Sequence, residues 1–109
     1  MMIFKVENEY RRITVNLRDS RTLLDLHNAI IKALRLEPGH QHAFFMDNMP
    51  WSNEKAYYSD NSDDPELSRT DAITLDKLGL KNGDKFIYIY DFSEEQVFTC
   101  TYGVDIEFV

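Results

Sequence analysis

The chain is poor in the patterns that carry chemistry. Its 109 residues include one cysteine, Cys100, so no internal disulfide can form, and such usage fits a reducing compartment. Cys100 sits in a strand pattern with no base beside it, which leaves a thiol nucleophile without support. The sequence has no Gly-x-Ser-x-Gly elbow and no glycine-rich phosphate loop. It also lacks the C-x-x-C, H-x-x-x-H and H-E-x-x-H spacings that hold metals. No catalytic residue and no cofactor site is expected, and the reading leans away from an enzyme. No run of eighteen apolar residues occurs, so no membrane helix is expected. The first residues reach Lys5 and Glu7 too early for a secretory leader, so the expected location is cytoplasmic. Positive charge is scarce as well. Lysine and arginine number 12 against 19 acidic residues, a net charge of −7, which disfavours sequence-independent binding to phosphate backbones.

What is present reads as one globular domain over residues 1–109, with 43% apolar and 28% charged residues. Ile3-Phe4-Lys5-Val6 and Ile13-Thr14-Val15-Asn16-Leu17 are rich in strand formers and lie a hairpin turn apart. Thr22-Leu23-Leu24-Asp25 has the form of a capping box. It opens a stripe of Leu23, Leu26, Ile30 and Leu34 at helical spacing, and Pro38-Gly39 is expected to end that helix. Ala43-Phe44-Phe45-Met46 is a short strand, followed by a long polar loop at about 48–71. Thr74-Leu75-Asp76-Lys77-Leu78 then reads as a short capped turn of helix stopped by Gly79, and Lys81-Asn82-Gly83-Asp84 as a tight turn. Phe86-Ile87-Tyr88-Ile89-Tyr90 is apolar on both faces, as suits a central strand. Val97–Tyr102 and 104–109 read as further strands that extend the sheet. The expected class is α+β, a β-grasp (ubiquitin-like) roll: a mixed sheet, one main helix packed on one face, and extra C-terminal strands.

Few residues invite a site. Asp60, Ser62, Asp64 and Asp71 imitate the oxygen spacing of a calcium loop, but Pro65 stands where that loop needs glycine. His27 and His42, with Asp91, are candidate metal ligands without any of the usual spacings. Up to residue 35 the chain has seven basic residues against four acidic ones, so Arg11, Arg12, Arg18 and Arg21 form a candidate interaction surface. Tyr57 and Tyr58, placed in the polar loop, join it as candidate exposed aromatics.

Several short strings occur in a distinctive order. They are Thr22–Ile30, His42-Ala43-Phe44-Phe45, Leu75-x-x-Leu78-Gly79-Leu80, Gly83-Asp84-Lys85-Phe86 and Tyr88-x-Tyr90-Asp91-Phe92. In these the chain resembles the plasmid pRiA4b open-reading-frame family from about Arg11 to Tyr102. The resemblance implies a small α+β domain, a cytoplasmic setting and an occasional association with mobile elements, and it implies no known activity. The family pattern usually continues Tyr-Asp-Phe-Gly-Asp-x-Trp, whereas this chain reads Tyr90-Asp91-Phe92-Ser93-Glu94-Glu95-Gln96. The leading expectation is a non-catalytic protein-interaction module with a protein partner and no membrane partner. The alternative is a nucleic-acid-associated accessory of a plasmid or transposable element. A third reading is metal or small-ligand binding near the histidines.

Overall fold

A computed structural model describes residues 1–59 and 68–103. Strands β1 (Met2–Glu7) and β2 (Arg12–Leu17) form a hairpin, followed by helix α1 (Leu23–Leu34) and strand β3 (His42–Phe45). Two short strands come next, β4 (Ala56–Tyr58) and β5 (Ser68–Arg69), then single 3-10 turns at Thr70–Ala72 and Leu75–Leu78. Strands β6 (Lys85–Tyr90) and β7 (Gln96–Tyr102) complete the described chain. Among the described residues no helix is long and apolar enough to cross a membrane.

Local chemistry accounts for these elements. The Asn8 side chain accepts hydrogen bonds from the backbone N–H groups of Tyr10 and Arg11, at 2.9 and 2.8 Å, and so turns β1 into β2. The expected capping box forms: Asp25 N–H donates to Thr22 Oγ1 at 3.2 Å, and Thr22 N–H donates to Asp25 Oδ2 at 2.9 Å. The helix stops earlier than Pro38-Gly39. Arg35 takes a left-handed conformation at φ 56°, Leu36 N–H returns to Ile31 O, and the Leu36 side chain packs back on the core. Apolar contact beyond the last turn therefore ends α1 before proline is reached. The turn at Leu75–Leu78 also forms, but Thr74 makes no side-chain cap, and its hydroxyl donates to Asp76 Oδ1.

The architecture is α+β, a mixed seven-stranded sheet with one helix, in the order β2-β1-β7-β6-β3-β4-β5. Neighbouring strands are antiparallel except β4 and β5. The tyrosine-bearing β6 is the fourth of the seven and is buried on both faces from Phe86 onward. On one face, α1 lays Leu23, Leu26, Ile30 and Leu34 against Phe4, Val6, Phe44, Phe86, Tyr88 and Phe98. On the other, Ala43, Phe45, Tyr58, Ile87 and Ile89 make a smaller cluster.

Two expectations need correction. The C-terminal strand β7 does not extend the sheet at a margin but lies between β1 and β6. A turn closed by Glu95 N–H to Asp91 O returns the chain beside β6, and Val6↔Cys100 and Phe4↔Tyr102 then set buried Val6 and Phe4 level with buried Cys100 and half-buried Tyr102. The stretch 48–71 is not all loop either, since it contributes β4, β5 and the turn at Thr70–Ala72. The expected tail strand at 104–109, and Asp60, Ser62 and Asp64 of the calcium-like spacing, lie outside the described residues.

Candidate functional site

His27 projects from the buried stripe of α1, and His42 from β3 toward the same face of the sheet. Their imidazoles stack with ring centres 3.6 Å apart and planes 8° from parallel. His27 Nδ1 is 2.7 Å from the Tyr88 hydroxyl, and His42 Nε2 is 2.9 Å from Thr70 Oγ1. Tyr90 lies beside them, its ring 5.6 Å from that of His27, and its hydroxyl donates to the Glu37 carbonyl. The cluster is thus a polar seam pinning α1, β3, β6 and the Thr70 turn together.

Burial decides the chemistry of this seam. Loss of water, with the neighbouring His27 ring adding to it, pushes the His42 pKa down to about 3, so His42 is neutral at physiological pH. Burial likewise raises the Tyr88 hydroxyl and the Cys100 thiol well above their ordinary values. A base that weak and acids that weak are poorly matched to proton transfer near pH 7.

Nor does the geometry converge on a metal. Ring nitrogens bind in the plane of the imidazole, so nearly parallel stacked rings aim their lone pairs along separate planes. Asp91, the third candidate, belongs to the rim. Its Oδ1 accepts from Ser93 Oγ at 3.0 Å, and its Oδ2 is 3.7 Å from His40 Nδ1. Among the described residues, no group of three His, Cys, Asp or Glu side chains is placed to hold a metal ion.

The candidate interaction residues fall into three places. Arg11 and Arg12 are exposed at the start of β2, while Arg18 and Arg21 are exposed beyond its end. Arg12 and Arg18 are six residues apart, about 20 Å along an extended chain. Arg11 donates to the Leu34 carbonyl at the C-terminus of α1, and Arg12 lies 3.3 Å from Glu7. The four guanidiniums therefore form two groups, farther apart than charges in physiological salt are felt. Tyr57 and Tyr58 are not exposed loop aromatics: they lie in β4, Tyr57 half-buried against the main core and Tyr58 buried in the second cluster. A three-residue strand is too short to reveal its alternation in sequence, and this hid their burial.

The openness of the sheet is uneven. Trp51 packs on Phe45 of the second face and on Phe92, at 5.5 and 5.1 Å between ring centres, and its indole N–H donates to Glu95 Oε1 at 3.0 Å. Among the described residues, one margin, β5, is two residues long, whereas the other, β2, runs for six residues. A shallow hollow of about 350 Å³ opens beside β4, between Lys55, Tyr57, Ser68, Lys77 and Leu78. Thr70 and Tyr88 were missed as the partners of the two histidines. The only sequence signal was the even-numbered row Phe86, Tyr88, Tyr90, which shares one face of β6.

Comparison with known proteins bears on kinship and fold. Residues 5–103 match the family model described as plasmid pRiA4b ORF-3-like protein. No curated protein matches the chain. Among solved structures, a protein of unknown function from Methanosarcina mazei Go1 is similar at a TM-score of 0.67 and 22% identity. The likeness covers 99% of this chain and 62% of that one, so this chain spans less than two thirds of its length. Identity at that level speaks for the fold alone.

Proposed function

The chain belongs to the plasmid pRiA4b ORF-3-like family, and on that premise we propose a non-catalytic protein-interaction module of β-grasp type that takes its partner along the margin of β2. One observation carries the proposal. Among the described residues, strand β2 offers a six-residue edge with a strand on one side only, while the opposite edge is two residues long and Trp51 packs over Phe45 on the second face. An unpaired edge of that length presents main-chain donors and acceptors to an incoming strand, the usual means of strand addition. Support for the β-grasp description comes from the hairpin, the crossover helix and the central β6, with β7 as an insertion between β1 and β6. The two cores share β6, which favours one domain over 1–109. The buried seam of neutral histidines and tyrosine supports a structural rather than a catalytic role for those residues. A cytoplasmic setting goes with the single buried thiol.

Site-specific photo-crosslinking in cells tests the proposal. A photoreactive amino acid at Thr14 or Asn16 should give a discrete adduct to a partner protein, while the same group at Ser68 or at Asn28 on α1 should not. Adducts from Ser68 or Asn28 with none from β2, or none from any position, overturn it.

A further inference from the structure

We infer that the segment taken up by β2 is an extended acidic peptide whose acidic residues alternate with apolar ones. This inference rests on the docking margin proposed above and names the chemistry of its occupant. The apolar half follows from the packing of β2. Val15 is buried, whereas Ile13 and Leu17 on the same side are only half-buried at the margin, packed against the core that α1 covers. A strand laid along β2 sets every second side chain beside Ile13 and Leu17, and apolar groups there continue the core surface.

The acidic half follows from charge placed against an acidic whole. The protein carries −7, yet the margin is bracketed by Arg11 and Arg12 at one end and by Arg18 and Arg21 at the other. Lys32 and Arg35 add to the first group from the end of α1, close to where Arg11 meets Leu34. The nearby acids are partly engaged. Glu7 lies between Lys5 at 3.1 Å and Arg12 at 3.3 Å, and a hydrogen bond from Lys5 holds its carboxyl below the usual carboxylate range. Asp25 is held in the capping box and Asp76, beside Asp19, accepts from Thr74, which leaves Glu9, Asp19 and Glu37 to oppose the bracket. An acidic ligand meets an attractive surface at this margin. The two groups stand about 20 Å apart, close to the length of six extended residues, so each contacts a different part of one added strand. Such a gap exceeds the screening length, which suits a short peptide better than the continuous field a duplex needs.

The test uses the full chain and three fluorescent probes: a short acetylated peptide alternating valine with glutamate, the same peptide with lysine for glutamate, and a DNA duplex. Anisotropy should show the glutamate peptide binding and the lysine peptide not. The pair R18E and R21E should weaken that binding by about tenfold, as two exposed charge contacts allow. Backbone NMR shifts on titration should map to residues 12–17. Fold integrity of the variant is checked by its unperturbed spectrum away from β2, and I13S serves as a second, uncharged variant expected to weaken the same peptide. If the lysine peptide binds β2 instead, or DNA binds with the same arginine dependence, the inference falls while docking at β2 can stand on the crosslinks. If the glutamate peptide shifts residues outside β2, both readings fall. Absence of binding by the glutamate peptide overturns the inference alone.

Discussion

The imidazole of His27 lies flat on that of His42, with ring centres 3.6 Å apart, and each ring is anchored from its own side by a hydroxyl, Tyr88 for one and Thr70 for the other. A helix and a sheet strand are thereby joined through polar atoms within an otherwise apolar layer. Buried polar groups are tolerable only when bonded, so the seam specifies how α1 sits on the sheet as well as holding it there.

The seam makes stability depend on pH. The native His42 pKa is about 3, below the ordinary 6.5, so between these values the unfolded chain binds a proton that the native chain refuses. The contribution is complete above pH 6.5 and is lost as pH falls toward 3, with a slope of at most about 1.4 kcal/mol per pH unit. Urea unfolding at a series of pH values should show this slope, and His42→Asn should flatten it relative to the native chain. Equal slopes in both proteins would refute the assignment.

Thr70→Val keeps the shape of the side chain and removes the hydroxyl that meets His42 Nε2. The expected loss is about 1–3 kcal/mol, the usual cost of a buried polar atom left without a partner. Thr70→Ser should recover much of it. Thermal or urea unfolding reads both.

Arg11 brings positive charge and a hydrogen-bond donor to the Leu34 carbonyl, where α1 presents the negative end of its dipole. Arg11→Ala should cost about 0.3–1 kcal/mol. Amide exchange should quicken in the last turn of α1 before it does in β6. Uniform quickening would point to a cause other than the helix end.

Trp51 is 41% exposed, so its removal should cost less than removal of the fully buried Phe45 beneath it. Phe45→Ala is expected to cost about 3–5 kcal/mol. Trp51→Phe should retain ring packing on Phe92 and lose only the bond to Glu95, for about 0.5–1.5 kcal/mol. Denaturation midpoints of the two variants order the two effects.

Much of this arrangement was legible in the sequence because it is local. The capping box at Thr22 and Asp25, the stripe from Leu23 to Leu34 and the doubly apolar β6 each declare themselves within a few residues. Where β7 lies was not legible, since its pairing with β1 joins Cys100 to Val6 across nearly the whole chain and no residue of β7 names its neighbour. The short β4 was hidden because Ala56, Tyr57 and Tyr58 are too few to display a period of two. At the histidines, composition offered His27, His42 and Asp91 as a group. Only the fold reveals that two of them stack while the third turns to Ser93 and the rim. The arginines were visible as a run of charge, but a run in sequence carries no information about the length of strand separating its members.

Cys100 lies wholly beneath α1, its thiol held protonated by burial. A thiol without a thiolate is inert to alkylating reagents and to mild oxidants. Labelling of this residue can proceed only through an opening that lifts the helix from the sheet, so its rate in native buffer counts such openings directly. The protein carries a built-in clock for its own unfolding, at a position where no added probe disturbs the packing.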